Sequence, residues 1–529
     1  MTAQRIALTG TFVLDTVTDT LSWWLAKLRP DATVVPAPYG QVLESLHDPT
    51  SLLRTNDGVN VVLVRPEDFL RVGDDRRGAP IADANRLLDE LAAGFAAAVR
   101  HTGATWLVGI LPPARSTEDV ADWVAAATRR ITGLVRGSTR PHLLDVDAAA
   151  ELYEVSSVHD EYGDTIGHLP YTDEYLVAVG TYIARTAESI WAAPRKVIVL
   201  DCDNTLWQGV CGEDGADGVV LTEAHLWLQR FMLRQRANGR LLCLCSRNNE
   251  ADVLAVFAGR EDMVLRIDDV TGQRIGWGPK PDAVEALADE LGLALNSFVF
   301  VDDDPVECEM MRTRLPDVTV VQVPREPELI VGSLAHEWVF DQFVVTDDDR
   351  LRADRYAEDS QRRAAAARSV EHAEFLRQCD IGVSFSPIDE HTMDRAAQLT
   401  TRTTQFNLTG EAFSVTQLEA FLGDGGLGWT VSMRDRFGDY GVVGLILAVD
   451  GEDTLEVRVL LMSCRVLNRE LEQRMLGFLT ARADMSGRSS VVLPYRPTER
   501  NTPARLFLEQ VLGTAVEPAA ATFAVSTAR

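Results

Sequence analysis

Three short apolar runs in the middle of the chain each stop at a cluster of polar residues. The runs and their clusters are KVIVL (196–200) before DCDNT (201–205), LLCLC (241–245) before SRNN (246–249), and FVFV (298–301) before DDD (302–304). Runs of four or five apolar residues are typical of buried parallel strands. Open α/β sheets bind their ligands at the carboxyl ends of such strands. The spacing therefore predicts a parallel sheet with the three polar clusters at one edge.

Lys280 is the fourth feature of this region. It stands just before a helical pattern, PDAVEALADELGL, in which Pro281 takes the first helical position. Carboxylates from two strand ends are suited to Mg²⁺, a hard cation that prefers oxygen and shares its coordination shell with phosphate. Asp201 is then placed to attack phosphorus, and Asp203 to protonate the leaving oxygen and later activate water. Ser246 and Lys280 would bind the phosphoryl oxygens. These residue types indicate metal-assisted phosphoryl chemistry.

The order of these elements resembles the haloacid dehalogenase (HAD) superfamily, which has DxDxT after the first strand, Ser/Thr after the second, then Lys and a paired acid. The resemblance implies that Asp201, Asp203 through its main-chain oxygen, and Asp302 hold the metal, with Asp303 beside them. The expected catalytic residues at this site are Asp201, Asp203 and Lys280, and the expected substrate-binding residues are Thr205, Ser246, Arg247 and Asn248.

A narrower resemblance covers the middle and C-terminal parts of the chain. Its motifs are LDCDNTLWQGVCGEDG (200–215), RIGWGPK (274–280), FVFVDDDPVE (298–307), TRTTQFNLTG (401–410), DRFGDYGVVG (435–444), SCRVL (463–467) and PTERN (497–501). They resemble the FkbH-like family of glyceryl transferase/phosphatases. The resemblance implies an enzyme that takes 1,3-bisphosphoglycerate or a related acyl phosphate and removes its phosphates. It loads the glyceryl group as a thioester on a phosphopantetheinylated acyl carrier protein (ACP), which supplies a polyketide extender or starter unit.

Forming a thioester requires a thiol that attacks an acyl phosphate. Cys464 follows an apolar strand pattern and precedes a helix that begins near Arg469. A position close to a helix N-terminus and beside Arg465 would stabilise its thiolate. Cys464 is therefore the predicted acyl carrier, and Arg465 a predicted substrate-binding residue. Cys211 and direct transfer to the ACP thiol remain open alternatives. Alternation along the strand turns Cys202 away from the polar edge.

The C-terminal region resembles the acetyltransferase (GNAT) fold. The phosphate-binding turn of that fold is typically R-x-x-G-x-G/A, because glycine lets backbone N–H groups approach a pyrophosphate. Here the turn reads RVLNRE (465–470), and Glu470 places negative charge where a pyrophosphate would lie. The turn disfavours acetyl-CoA and favours the single phosphate of an ACP's phosphopantetheine arm. Asn407 is a further predicted substrate-binding residue, with a structural role in a turn as the alternative.

Two changes of composition divide the chain. A helical pattern meets a strand at AAPR (192–195), and a charged stretch rich in Ala and Arg, 346–369, favours a solvated connecting helix. The predicted domains are 1–194, SGNH-hydrolase-like; 195–345, HAD-like phosphatase; and 346–529, GNAT-like acyl transfer. The predicted fold class is α/β, with a HAD-like Rossmannoid parallel-sheet core between an SGNH-like α/β domain and a GNAT-like α+β domain.

The first domain lacks the early GDS-like serine of SGNH hydrolases, since its first strand ends in LTGTF (8–12). His159 and His168 resemble the late histidine of those enzymes. We expect a structural or interaction role for this domain, with a hydrolase that depends on Thr11 as the alternative.

Charge and cysteine content bound the partners and the compartment. The 529 residues carry a formal charge of −28, which disfavours nucleic acid and anionic membranes as partners. Seven scattered cysteines do not form a disulfide framework, and the sequence shows neither a signal peptide nor a membrane span. We therefore expect a cytoplasmic protein.

Three other functions remain alternatives to glyceryl transfer. The first is a phosphatase for another phosphometabolite, with the last domain as a lid. The second is a bifunctional phosphatase and CoA-dependent acyltransferase. The third is a scaffold with a degenerate site, which the intact set of Asp201, Asp203, Ser246 and Lys280 disfavours.

Overall fold

The computed structural model describes most of the chain as two units, Met1–Ala192 and Ala193–Arg529. The described residues are 4–70, 81–100, 102–113, 118–136, 141–167, 169–345, 347–350, 356, 381–435, 438–463, 466–467, 469–498, 500–517 and 519–527. Among them, no helix combines the length and the apolar composition needed to cross a bilayer.

The first unit contains a parallel sheet of five strands in the order β2-β1-β3-β4-β5. The strands are β1 Arg5–Gly10, β2 Thr33–Pro36, β3 Val59–Val64, β4 Thr105–Ile110 and β5 Pro141–Leu144. The helices are α1 Asp15–Leu28, α2 Val42–His47, α3 Leu52–Thr55, α4 Ile81–Arg100, α5 Glu118–Arg136, α6 Val146–Leu152, α7 Glu161–Gly167 and α8 Asp173–Trp191. The central strand β3, VNVVLV, is buried at every position, as expected of a parallel strand with both faces covered.

Thr11 follows β1 in the first unit and is held by its neighbours. Its hydroxyl donates to Asp68 Oδ2 at 2.8 Å and accepts from the backbone N–H of Arg65 at 2.9 Å. His159 Nε2 lies 3.4 Å from the carbonyl oxygen of Pro112, and His168 is outside the described residues. The SGNH-like relationship of this unit and the Thr11 alternative both stay predictions.

The second unit begins with another parallel sheet, in the order β10-β9-β6-β7-β8. The strands are β6 Val197–Leu200, β7 Leu241–Ser246, β8 Val270–Ile275, β9 Phe298–Asp302 and β10 Thr319–Gln322. The helices are α9 Cys211–Gly218, α10 Glu223–Ala237, α11 Glu250–Gly259, α12 Lys280–Leu291, α13 Pro305–Arg314 and α14 Pro327–Ala335. The three predicted strands are therefore β6, β7 and β9, which are neighbours at the centre of the sheet.

Alternate residues of these strands enter two different apolar clusters. Ile198 and Leu200 pack on one face of the sheet, whereas Val197 and Val199 pack on the other. Cys202 continues the first series and is fully buried in the same cluster as Leu200. Burial on both faces explains why the runs are continuously apolar, and it leaves only the strand ends for polar side chains.

The last part of the second unit is a mixed sheet in the order β11-β13-β14-β15-β16-β17, with β12 also paired to β15. The strands are β11 Gly382–Pro387, β12 Phe406–Asn407, β13 Leu427–Asp435, β14 Gly438–Asp450, β15 Thr454–Met462, β16 Ser490–Tyr495 and β17 Ala521–Ser526. The helices are α15 Asp347–Arg350, α16 Met393–Arg402, α17 Val415–Gly423, α18 Leu471–Met485 and α19 Thr502–Leu512.

Strands β15 and β16 are the parallel pair of this mixed sheet, and they separate along their length. They pair only from Thr454 opposite Ser490 to Glu456 opposite Val492, while the other end of β15 pairs with β12. The predicted α/β fold class is confirmed, with two parallel sheets and one mixed sheet. The predicted boundaries after residues 194 and 345 remain predictions, and most of the expected connecting helix, 346–369, lies outside the described residues.

Glu470 precedes α18 with φ of 60°, a left-handed conformation that glycine adopts without cost. This is the position where the acetyltransferase turn has a small residue. We expect Glu470→Gly to be more stable than Glu470→Ala by about 1 kcal/mol, because alanine keeps the left-handed strain. Both variants lose the same charge, so the comparison isolates the backbone. Equal free energies of unfolding in urea for the two variants would contradict this assignment.

Candidate active site

Three buried carboxylates meet at the carboxyl edge of the central strands. Asp201 follows β6, Asp302 is the last residue of β9, and Asp303 comes next. One oxygen from each lies within 4.8 Å of the others, and each residue is at most 5% exposed. Because burial of like charges is costly, such a group requires a cation nearby.

Lys280 supplies one positive charge between two of these carboxylates. Its Nζ lies 2.9 Å from Asp201 Oδ1 and 2.5 Å from Asp302 Oδ2, and its side chain is itself buried. Lys280 is the first residue of α12, between Pro279 at the N-cap and Pro281. Burial alone would lower the pKa of Lys280, but the attraction of both carboxylates outweighs it and raises that pKa. Both carboxylates therefore stabilise the ammonium form of Lys280.

The carboxylates are destabilised in their charged forms even with Lys280 present. Burial raises the pKa of Asp302 to about 7, and repulsion from Asp201 adds to this while Lys280 opposes it. Burial also raises the pKa of Asp201, against Lys280, and that of Asp303, against Arg325. Lys280 and Arg325 therefore do not fully offset the negative charge of the three carboxylates. An arrangement of carboxylate oxygens with excess charge fits a hard divalent cation.

The carboxylate of Asp203 is held by hydrogen bonds to groups outside this cluster. Its Oδ1 accepts from Trp207 Nε1 at 2.9 Å and from the backbone N–H of Cys211 at 3.1 Å, and its Oδ2 accepts from Asn248 Nδ2 at 2.7 Å. Asn204, next in sequence, has a left-handed φ of 57° and its side chain accepts from the N–H of Gly209. The loop after β6 is therefore folded around these two side chains, and Asn248 positions Asp203.

The remaining predicted residues of this edge occupy different environments. Ser246 is buried at the end of β7, and Thr205 is buried with a hydroxyl oxygen that has no hydrogen-bond partner. Arg247 is exposed and donates to Glu307 Oε1 at 2.7 Å. The structure thus gathers Asp201, Ser246, Lys280 and Asp302 at strand and helix ends next to one another, as the sequence predicted.

The side chain of Asn407 forms hydrogen bonds with backbone groups close to it in sequence. Its Oδ1 accepts from the N–H groups of Thr409 and Gly410, and its Nδ2 donates to the carbonyl of Thr403. Its carbonyl accepts from Asn501 Nδ2 at 3.0 Å. These contacts favour the structural alternative, and a substrate-binding role stays a prediction. Cys464 and Arg465 lie outside the described residues.

Two residues of the site had no role in the sequence analysis. Arg325 follows β10 and donates from Nε to Asp303 Oδ2 at 2.7 Å. Glu307 on α13 is buried and accepts a hydrogen bond from Arg247. The run TVVQV (319–323) before Arg325 is shorter in apolar residues than the first three runs, because Gln322 interrupts it, so the sequence signal for Arg325 is weak.

The edge that carries the site is not covered by an inserted domain. Every residue of 193–345 is described, and α9, α10 and α11, which connect β6 to β7 and β7 to β8, all contribute to the apolar cluster on one face of the sheet. Trp277, in the short turn between β8 and α12, is 67% exposed and donates to Asn249 Oδ1 at 3.1 Å. The exposed ring of Trp277 therefore lies at the same edge of the sheet as the carboxylates.

Comparison with known proteins adds one informative structural relative. No sequence model of a known protein family and no curated protein matches this chain. The N-terminal part of the protein BF1531 from Bacteroides fragilis, which contains a phosphatase domain and was crystallised with Mg, is similar to it. The TM-score is 0.54, with 19% identity over 65% of this chain and 95% of that one. At this identity, the similarity shows a shared fold.

Two acetyltransferases resemble a smaller part of the chain. The ribosomal-protein-S18-alanine N-acetyltransferase from Escherichia coli has a TM-score of 0.20 and 13% identity over 24% of this chain and 76% of that one. The IAA acetyltransferase from Bacillus cereus has a TM-score of 0.18 and 15% identity over 24% of this chain and 74% of that one.

Proposed function

We propose that the second unit is a Mg²⁺-dependent phosphohydrolase that acts at the carboxylate edge of its parallel sheet. The observation that carries this proposal is the buried group of Asp201, Asp302 and Asp303 around Lys280. The phosphatase-containing fragment of BF1531, which was crystallised with Mg, shares the fold. Asp201, Asp302 and Asp303 would hold the ion, and the contribution of the main-chain oxygen of Asp203 remains a prediction. Bound there, Mg²⁺ would offset negative charge on the phosphoryl oxygens.

The chain's own residues then perform two steps. A carboxylate oxygen of Asp201 attacks phosphorus, the bond to the ester oxygen breaks, and the leaving oxygen takes a proton from Asp203. Water next attacks the phosphorus of the aspartyl phosphate and gives a proton to Asp203. The bond between phosphorus and the Asp201 oxygen breaks, so phosphate is released and the Asp201 carboxylate is restored. Lys280 stabilises charge on the phosphoryl group throughout. Asp203 accepts three hydrogen bonds in this structure, so it must exchange at least one of them to reach the leaving oxygen.

Asn248 is a positioning residue for this proton transfer, and its removal provides a test. We expect Asn248→Ala to lower kcat for phosphate release by about tenfold or more, with a smaller change in KM, since it removes the hydrogen bond that orients the Asp203 side chain. Asn249→Ala is the matched control, because Asn249 is exposed and bonds Asp252 and Trp277 instead. A KM effect without a kcat effect would indicate that Asn248 binds substrate and does not position Asp203.

We further propose that this phosphatase site serves acyl transfer: the enzyme takes a glyceryl unit from 1,3-bisphosphoglycerate or a related acyl phosphate and loads it on a phosphopantetheinylated ACP. The seven FkbH-like motifs support this substrate and partner. Hydrolysis of another phosphometabolite and CoA-dependent acyl transfer are the competing activities.

The described cysteines near the site are poorly suited to carry the acyl group. Burial raises the pKa of Cys211 to about 12, with a further contribution from Asp203, and burial raises the pKa of Cys202 well above its usual range. A nucleophilic thiol is normally ionised near neutral pH. Cys464 as acyl carrier, or direct transfer to the ACP thiol, therefore remains the proposed route.

One experiment separates these activities. The full chain is incubated with 1,3-bisphosphoglycerate, Mg²⁺ and phosphopantetheinylated ACP, and both proteins are weighed by mass spectrometry. A glyceryl adduct on ACP supports the transferase, and phosphate release without an adduct supports a simple phosphatase. A parallel reaction with acetyl-CoA tests CoA use through release of free CoA.

Replacement of Cys464 identifies the route of the acyl group. We expect Cys464→Ala to abolish a glyceryl adduct on the enzyme while phosphate release continues, because the thiol and the carboxylate site do different chemistry. Cys308→Ala is the control, since Cys308 is a buried cysteine on α13. An enzyme adduct that persists in Cys464→Ala would exclude Cys464 as the acyl carrier.

A further inference from the structure

A polar cleft of about 430 Å³ lies in the second unit, at the opposite edge of the parallel sheet from the carboxylates. One wall is formed by Lys196, just before β6, and by residues 292–294 and 296–297, just before β9. The two strands are parallel, so their starts share one edge and Asp201 and Asp302 share the other. Five residues of extended chain separate Lys196 from Asp201, a distance of roughly 16 Å. The cleft is therefore a separate place from the phosphohydrolase site.

The side chains that line this cleft are positively charged or neutral. Four of them are basic, namely Lys196, Arg395, Arg402 and Arg500, and none of the described lining residues is Asp or Glu. The whole chain has 79 acidic and 51 basic residues, so the lining of the cleft is basic although the protein as a whole is acidic. Local positive potential in an acidic protein favours a small anion over a large anionic surface.

Two of the guanidinium groups are held in place by contacts behind them. Arg402 Nη1 lies 2.6 Å from Asp349 Oδ1, and Asp349 is buried. Arg395 donates to the carbonyl of Val442 from Nη2 at 3.1 Å and from Nε at 3.3 Å. Guanidinium groups fixed in this way lose little conformational freedom when they bind a ligand.

Hydroxyl groups and an exposed arginine complete the lining. Thr403, Thr404 and Ser463 are hydroxyl-bearing lining residues, whereas the hydroxyl of Thr401 donates to the carbonyl of Ala397; Arg500 extends from the loop before α19. These residues belong to the motifs TRTTQFNLTG, SCRVL and PTERN, none of which takes part in the carboxylate site. Arginine and hydroxyl donors around one space match the oxygens of a phosphate group.

We propose that this cleft binds the phosphate group of an organic phosphate, with Arg402 and Arg500 as its principal donors. Two sources share this chemistry: a small phosphate ester and the phosphopantetheine arm of a carrier protein. The second source rests on the proposed function. The cleft exceeds the space that one phosphate ion needs, which favours a phosphate attached to a longer organic group.

Calorimetric titration of the full chain tests the cleft. The protein carries Asp201→Asn and is free of Mg²⁺, so that the other site cannot turn over the probes, which are 4′-phosphopantetheine, pantetheine, glycerol 3-phosphate and inorganic phosphate. We expect 4′-phosphopantetheine to bind at least about tenfold more tightly than pantetheine. Arg402→Gln and Arg500→Gln should each weaken that binding by about tenfold or more. Arg488→Gln, which breaks a comparable pair with Asp450 outside the cleft, should leave it unchanged.

The results of the titration distinguish a small phosphate ester from the phosphopantetheine arm, and some of them would overturn the proposal. Equal, arginine-dependent binding of glycerol 3-phosphate supports a small ester, and selective binding of 4′-phosphopantetheine supports the carrier arm. No binding of any phosphate probe, equal binding of pantetheine, or insensitivity to both arginine variants overturns the proposal. Arg500→Gln keeps it testable if Arg402→Gln unfolds by leaving Asp349 unpaired.

Failure of the cleft is distinguishable from failure of the proposed function. In the enzyme with Asp201 intact, Arg500→Gln should retain Mg²⁺-dependent phosphate release. Lys280→Met should abolish release, yet leave 4′-phosphopantetheine binding intact. Loss of probe binding in Lys280→Met at pH 6, under conditions in which urea unfolding shows the variant to be folded, would place the phosphate at the carboxylate site and overturn the cleft.

Discussion

Asp201→Asn should reduce phosphate release from a phosphomonoester by at least about 10³-fold, a loss of about 4 kcal/mol in transition-state stabilisation. The amide keeps the size of the side chain but cannot form the aspartyl phosphate. It also removes one of the three like charges that crowd the buried edge. The metal-free variant should therefore be at least as stable as the parent protein, and the loss of turnover is chemical.

Asp282→Asn is the matched control for this substitution. Asp282 lies two residues after Lys280 on the same helix, but it is exposed and pairs with Arg314. Steady-state turnover with Mg²⁺ and urea unfolding of both variants give the comparison. Normal turnover in Asp201→Asn would refute the nucleophilic mechanism, and a drop in stability equal to the drop in activity would point to misfolding.

Lys280→Met should destabilise the metal-free protein by about 3–5 kcal/mol, because it leaves Asp201 and Asp302 buried without their shared cation. The effect should grow as pH rises. The pKa of Asp302 is about 7 in the folded protein, above its ordinary value, so the folded state binds this proton more tightly than the unfolded chain does. The corresponding stability is present at acid pH and is lost as pH rises through 7.

Urea unfolding of Lys280→Met at pH 6 and pH 8 measures this dependence. Removing Lys280 raises the pKa of Asp302 further, so protonation should rescue the variant at pH 6 more than at pH 8. Mg²⁺ at pH 8 should restore part of the lost stability, since a bound dication offsets the same carboxylates. Lys280→Arg, which keeps the charge, is the control. A variant as stable as the parent at pH 8 would show that Lys280 does not neutralise the cluster.

Much of the candidate active site was predictable because it depends on strand ends. Apolar runs buried on both faces must be continuous, so the residue at which each run stops marks the edge of the sheet. This rule placed Asp201, Ser246 and Asp302 correctly, and the Lys-Pro pair placed Lys280 at the start of α12. Arg325, the partner of Asp303, follows a run that Gln322 interrupts, so the same rule does not reveal it.

Side-chain direction was not predictable from that rule. Asp203 and Asn248 both stand at the correct edge, but they bond each other, and Asp203 also accepts from Trp207 and the N–H of Cys211. Which way a carboxylate points depends on the loop that folds around it, here through the left-handed Asn204. Asp303, by contrast, stands with Asp201 and Asp302 as a candidate ligand of the cation.

The sequence by itself determined the parallel sheet, the edge that carries its chemistry and the residue types available there, since these follow from local periodicity and from where each run ends. Only the tertiary structure decided which of those side chains meet, and that a second, basic space lies at the opposite edge of the same sheet. The basic residues of that space, Lys196, Arg402 and Arg500, are far apart in sequence, and no local pattern relates them. Their meeting depends on the tertiary fold of the second unit, which brings α16 and the loop before α19 to the same cleft as the starts of β6 and β9.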